Sequence, residues 1–204
     1  MITIVDYGMG NLGSIANMFK KIGAQAEITS DLEKINKAQK LLLPGVGAFD
    51  NAMHKINSAG MLPVLNTKVL NEKVPVLGIC LGMQLLTNSS EEGQLPGLGW
   101  ISGKTLSFKK VMNDDKLKIP HMGWSSVKKA TSSPLTENFY DDTRFYFVHS
   151  YYVKADSRDN VILTTNYFID FDSALQKDNI FGAQFHPEKS HKFGMRFLEN
   201  FAKI

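Results

Sequence analysis

The chain has one cysteine in 204 residues, so an internal disulfide is excluded. An unpaired thiol suits a reducing compartment, and the expected location is the cytoplasm. No apolar run approaches the ~20 residues that a membrane-spanning helix needs. The opening stretch "MITIVDYG" has neither a basic n-region nor a small-residue cleavage site, so it does not read as a signal peptide. There is no dense basic block, and the net charge is only +3. Nucleic acid and membrane surfaces are therefore not expected partners. Internal repeats, low-complexity tracts and linkers are missing as well. What remains is ordinary globular material, 43% apolar and 21% charged, long enough for one domain spanning residues 1–204.

The first 90 residues alternate short β-rich runs with amphipathic segments. Residues 2–6, 24–29, 40–44 and 75–79 read as strands. Residues 11–23, 48–59 and 61–72 read as helices, and "LGMQLL" after residue 80 starts another. Strands alternating with helices imply parallel βαβ units. After residue 90, turn residues separate short strands expected near 104–111, 124–128, 144–148, 161–165 and 180–185, and a helix over 191–204 closes the chain. The pattern predicts an α/β fold: an open, mostly parallel central sheet flanked by helices, with an antiparallel extension.

The lone cysteine sits in "VLGICLGMQLL", with Gly78 two residues before Cys80 and Gly82 two after. This is the cysteine version of the nucleophile elbow. A strand turns sharply into a helix with the nucleophile at the corner, where side chains at the two flanking positions would collide. The helix start offers backbone N–H groups and partial positive charge to an anion at that corner. The alternative is a buried structural cysteine. A thiol nucleophile needs a base, and the base needs an orienting group. Of five histidines, His54 and His191 read as solvated, and His121 and His149 lie at loop or strand ends. His186 stands at the end of a strand in "QFHPE". Pro187 is expected to keep the backbone extended, so that Glu188 points the same way as His186 and reaches one imidazole nitrogen.

With Cys80 and "HPE" joined, the sequence resembles the class I (triad) glutamine amidotransferases, a flavodoxin-like family. Within them it is similar to the glutaminase subunits of imidazole glycerol phosphate synthases. The likeness runs along the whole chain: "DYGMGNLGS" (6–14), "LLLPGVGAFD" (41–50), "GICLGMQLL" (78–86), "SSEEG" (89–93), "PHMGW" (120–124), "YFVHSYY" (146–152) and "QFHPEKS" (184–190). The resemblance implies a Cys80–His186–Glu188 triad and an oxyanion hole from the N–H groups of Val46 and Leu81. Gly45 and Gly47 fit a backbone that reorients beside the substrate. L-Glutamine would be contacted by Gln84, Glu92, His149, Ser150 and Tyr151, with Glu92 accepting from its ammonium. Asn11, Trp124 and Lys189 match family positions that face a (β/α)8-barrel cyclase, the subunit that consumes the ammonia. Neither a metal nor an organic cofactor is implied.

Three places depart from the family pattern: Ser125 stands where Asn is usual, Phe168 where Gly is usual, and "LLTNSSEEG" (85–93) where "LLFExSEEG" is commoner. They leave open a related partner, a synthase that amidates a surface-polysaccharide sugar. A reading of another class comes from Gly8, Gly10 and Gly13, which fit the dinucleotide fingerprint after a strand, with Glu27 as a ribose acceptor. That reading leaves Cys80, His186 and Glu188 unexplained.

Overall fold

The computed structural model describes residues 1–111 and 118–204. The N-terminal strands are β1 (Ile2–Val5), β2 (Ala26–Thr29), β3 (Leu41–Leu43) and β4 (Val76–Ile79). Among them lie helices α1 (Leu12–Lys21), α2 (Leu32–Asn36), α3 (Phe49–Ser58) and α4 (Met61–Asn66). Helix α5 (Leu81–Leu85) follows β4 directly, and the second half adds β5 (Ser89–Ser90), β6 (Gly103–Ser107), β7 (His121–Ser126) and β8 (Lys128–Lys129). Then come β9 (Arg144–His149), β10 (Tyr151–Ala155), β11 (Val161–Tyr167), β12 (Ile169–Lys177), β13 (Ile180–Ala183) and the closing helix α6 (His191–Lys203).

The main sheet runs β2-β1-β3-β4-β13-β12-β10-β6-β5, with β11 on β12 and β8 on β11. Pairs from β2 through β13 are parallel; β13–β12, β12–β10 and β10–β6 are antiparallel. The expected plan of a parallel half and an antiparallel extension is therefore present. β7 and β9 form a separate two-stranded ribbon instead of extending the main sheet.

The parallel strands are short apolar runs because both of their faces are covered. Leu41 and Leu43 join a core with Phe49, Met53 and Ile56 of α3, whereas Leu42 joins one with Phe19 of α1 and Phe197 of α6. β4 splits the same way, Val76 to the first core and Leu77 and Ile79 to the second. Within the first core Trp100 is fully buried, and its Nε1–H donates to Asn66 Oδ1 at 2.8 Å. α1 buries Ile15 and Phe19 one turn apart, is capped by the Asn11 side chain, and gives way to Gly23 at φ +76°. No helix among the described residues is long and apolar enough to cross a membrane.

Several expectations need correction. The strand expected at 104–111 ends at Ser107, whose hydroxyl accepts from the Lys109 N–H and opens a 3₁₀ turn. The run expected at 124–128 begins earlier, at His121, and breaks at Val127 into β7 and β8, which join different sheets. The helix expected over 61–72 is α-helical only to Asn66 and continues as a π turn. The strand expected at 180–185 stops at Ala183. Helix α2 and strands β5, β10 and β12 went unread. β12 is the largest omission, and its two aspartates explain it, since Asp is depleted in strands. Buried Asp172 is matched by Arg158, at 2.6 Å, and by the Ala155 N–H, at 2.9 Å.

Candidate active site

In a parallel sheet of this order, the strand direction of the connections reverses between β1 and β3, and the crevice at the carboxyl ends there is the usual site. The loops leaving β1, β3, β4 and β13 meet at that edge. Cys80 leaves β4 with φ +53° and ψ −108°, a left-handed corner that non-glycine residues rarely adopt. Its N–H is held by the Ala183 carbonyl at 2.7 Å. A Cβ at Gly78 would come within 2.5 Å of the Gly82 carbonyl oxygen, and one at Gly82 within 1.9 Å of the Leu43 carbonyl oxygen. Both glycines are therefore required by the close passage of backbone under the corner.

His186 follows β13, the strand in register with β4 through Ala183 and Ile79. It is buried, and its Nδ1 lies 2.8 Å from Glu188 Oε1. The route differs from the expectation. Pro187 does not extend the chain but starts a 3₁₀ turn, Pro187–Lys189, which folds Glu188 back beneath the ring. Proline favours the first position of such a turn because its φ is preset and its missing N–H is not needed there. Ser190 Oγ closes the turn by donating to the His186 carbonyl at 2.6 Å. Burial disfavours the imidazolium, but bonding and charge from Cys80 and Glu188 outweigh it and push His186 up to about 10. His186 Nε2 has no hydrogen-bond partner of good geometry among the described residues.

A cavity of about 400 Å³ opens on this edge. Cys80, His186, Val46, Gly47, Leu81, Gln84, Glu92, His149, Ser150 and Tyr151 all line it, as does Lys189. Gly45 sits just beneath, where a Cβ would meet Tyr7 Oη at 2.8 Å and Leu81 Cβ at 2.9 Å. The Leu81 N–H donates to the Gly45 carbonyl at 3.3 Å. The carbonyl and N–H of one trans peptide point in opposite directions. With the Gly45 carbonyl turned toward Leu81, the Leu81 N–H is occupied and the Val46 N–H faces away from it, so the two expected oxyanion donors do not converge. Buried Tyr7 donates its hydroxyl to the Pro44 carbonyl and so pins the start of the loop that follows β3. Burial, then the charge of Cys80, holds that phenol above its usual range.

Glu92 is half-buried and accepts the Phe49 N–H at 3.0 Å. Burial raises its carboxyl, partly offset by that bond, and Asp50 raises it further. Gln84 donates to the Tyr151 carbonyl at 3.3 Å and to Gln184 Oε1 at 3.2 Å. His149 Nδ1 donates to the same carbonyl at 2.7 Å, so its Nε2 must accept, at 3.0 Å, from His121 Nδ1–H. His121 Nε2 then accepts from Ser125 Oγ at 2.9 Å. Burial lowers His121 to about 4 and His149 to about 3, the latter helped by His121 and His186 and opposed by the Tyr151 carbonyl. Tyr7, His121 and Gln184 were missed. Gln184 could have been found from its place two residues before His186 in an extended segment, where alternate side chains share a face.

The expected partner-facing residues are all exposed. Trp124, 43% exposed, stacks on His191 with ring centroids 5.6 Å apart and planes at 12°. Asn11 Oδ1 accepts the Ser14 N–H at 3.3 Å. A second cleft, bounded by Ser14, Met18, Lys189 and His191, lies between them on the outer side of Glu188. The glycines of the dinucleotide-like loop have other work. Gly10 packs against Pro44, where a Cβ would lie 3.2 Å from the Pro44 Cβ, and Gly13 faces open space. The fingerprint's third glycine exists for close helix–strand packing, which is not needed at Gly13. No group of three or more potential metal ligands is clustered among the described residues.

A strained cysteine corner beside a buried His–Glu pair, at the end of this sheet, is the arrangement a thiol-based acyl transfer would use. Residues 3–204 match the family Glutamine amidotransferase class-I, and the chain belongs to it. The similar curated proteins are more particular. "Imidazole glycerol phosphate synthase subunit HisH 2" of Methanococcus maripaludis is 58% identical over 203 residues, covering 100% of this chain and 99% of that protein. "Imidazole glycerol phosphate synthase subunit HisH" of Bdellovibrio bacteriovorus is 46% identical over 204 residues, covering 100% of both. Among solved structures, "Structure of PurLQS from Thermotoga maritima" matches with a TM-score of 0.74 over 99% of this chain and 97% of that one. At 16% identity it speaks for the fold alone.

Proposed function

We propose that the chain, as one unit over residues 1–204, is the glutaminase subunit of an imidazole glycerol phosphate synthase. The Cys80 sulfur attacks the side-chain carboxamide of L-glutamine. Backbone N–H groups at Val46 and Leu81 receive the oxyanion once the Gly45–Val46 peptide turns over. His186, oriented by Glu188, gives a proton to the departing ammonia. Water activated by His186 then cleaves the glutamyl thioester and releases glutamate. The ammonia passes to a (β/α)8-barrel cyclase, docked against Asn11, Trp124 and Lys189, in the cytoplasm.

The observation that carries this reading is the 2.8 Å His186–Glu188 contact at the edge of the cavity that also exposes Cys80. The raised His186 supports it, because a charged imidazole is the proton donor the first step needs. Cys80→Ala removes only a sulfur atom and is expected to abolish glutamate release with an unchanged melting curve. Substantial turnover by the folded variant would overturn the assignment. Purification with the natural partner, followed by identification of the acceptor that takes up glutamine-derived ammonia, tests the cyclase against the sugar-amidating alternative.

A further inference from the structure

Gln184 has no part in the chemistry above, yet it is fully buried and its side chain reaches the sulfur: Nε2 lies 3.7 Å from Cys80 Sγ. The Val148 carbonyl, an acceptor, lies on the sulfur at 4.0 Å. Which end of the Gln184 amide faces the sulfur follows from its neighbours. One atom of the Gln84 amide contacts both the Tyr151 carbonyl and Gln184. A carbonyl only accepts, so that atom is the Gln84 nitrogen. The Gln184 atom facing it is then the oxygen, and the Gln184 NH₂ must point at Cys80. The Tyr151 carbonyl also accepts from His149, which accepts from His121, which accepts from Ser125. One N–H on the sulfur is thus fixed by a continuous hydrogen-bonded network that starts on β7.

We propose that Gln184 is a catalytic residue of the glutaminase reaction, its Nε2–H stabilising negative charge on the Cys80 sulfur. The inference rests on Cys80 being the nucleophile. As the C–S bond forms and the C–N bond breaks, ammonia leaves with the His186 proton. When water cleaves the thioester, its oxygen bonds the acyl carbon, its proton goes to His186, and the C–S electron pair returns to sulfur. Gln184 serves the sulfur before attack and again as it leaves. Hydrogen bonds to ionised groups are about twice as strong as neutral ones. Losing this one should cost roughly tenfold to a hundredfold.

The test reads the sulfur directly. Cys80 is the only cysteine, so iodoacetamide alkylation followed against pH reports it alone. His186, Glu188, Tyr7, His149, Glu92, Tyr151 and Lys189, the titratable groups around it, stay in place. In Gln184→Met the alkylation midpoint is expected to rise by about one pH unit, the tenfold end of that range. In Gln184→Glu, which keeps the shape but offers an acceptor, it should rise further, and glutamate release should fall in both. A role in packing alone would lower the melting temperature and leave the midpoint unmoved, which overturns the proposal. In wild-type protein labelled with ¹⁵N-glutamine, one side-chain NH₂ pair should titrate with the sulfur and cease to do so in Cys80→Ala. Its absence overturns the proposal whether or not the variants fold. A shifted midpoint with no glutamate release from the wild type even with its partner and acceptor present counts against the glutaminase reading; turnover with an unmoved midpoint counts against Gln184.

Discussion

The lone chain is expected to be a poor glutaminase that wakes when its partner docks with the acceptor loaded. The perturbation is addition of the partner, and the structural lever is the Gly45–Val46 peptide. In the present arrangement the Gly45 carbonyl occupies the Leu81 N–H at 3.3 Å. Two magnitudes bracket the effect. If that hydrogen bond alone held the peptide, turning it over would cost about 0.5–1.5 kcal/mol. The lone chain would then run only about 2–13-fold below its full rate. If the turned state is not reached at all, at least one oxyanion donor is lost, and mutational precedent places that at about 10²–10³ in turnover. The second range is expected here, because the loop after β3 is anchored by Tyr7 on the Pro44 carbonyl and by the packing of Gly45 against Leu81. The assay is glutamate release by the chain alone, with the partner, and with partner plus acceptor nucleotide. A ratio near ten would mean that a single weak bond is the whole device. A lone chain already at full rate would refute the gating argument.

Glu188→Gln is expected to reduce glutamate release less than His186→Ala, because Glu188 orients the ring while His186 moves the proton; equal losses would contradict that division. An orienting carboxylate can still be worth about 10⁴ in a serine hydrolase. NAD and NADP are expected not to bind, and nicotinamide fluorescence or a melting shift at micromolar ligand would expose the error. For pH, His121 and His149 are lowered on folding to about 4 and about 3. Their contribution to stability is complete above the unfolded value near 6.5 and is lost as pH falls from there toward 4 and 3. His186, raised to about 10, behaves oppositely: its contribution is complete below 6.5 and is lost as pH rises toward 10. Denaturant melts between pH 6.5 and 5 should therefore lose up to about 1.4 kcal/mol per pH unit for each of the two lowered histidines. His121→Gln should flatten that slope, and an unchanged slope would sink the argument.

The parallel half of the fold was legible because its strands and helices obey different periods. Leu41–Leu43 and Val76–Ile79 are continuous apolar runs, whereas α1 repeats every third or fourth residue. The antiparallel half was less so. β12 carries Asp170 and Asp172, whose cost as strand residues is offset by Arg158 and Asn166, contacts that no local pattern announces. The corner at Cys80 could be expected from two glycines alone, because steric exclusion is local. The means by which Glu188 reaches His186 could not, since Pro187 suits an extended segment and the start of a turn equally well. The network from Ser125 to Gln184 joins four separate segments, and only their packing reveals it.

The two tryptophans divide the molecule optically. Trp100 is sealed in the core against Asn66, while Trp124 stands on the exposed face of β7 with an imidazole stacked on it. Emission from the first changes when the chain unfolds. Emission from the second responds to whatever displaces His191 or covers the indole, with the fold unaltered. The protein thus carries an unlabelled fluorophore on the surface where its partner is expected, one strand away from the cavity. A Trp100→Phe variant would leave that signal alone in the spectrum, so that docking and glutamine hydrolysis could be timed separately in one cuvette.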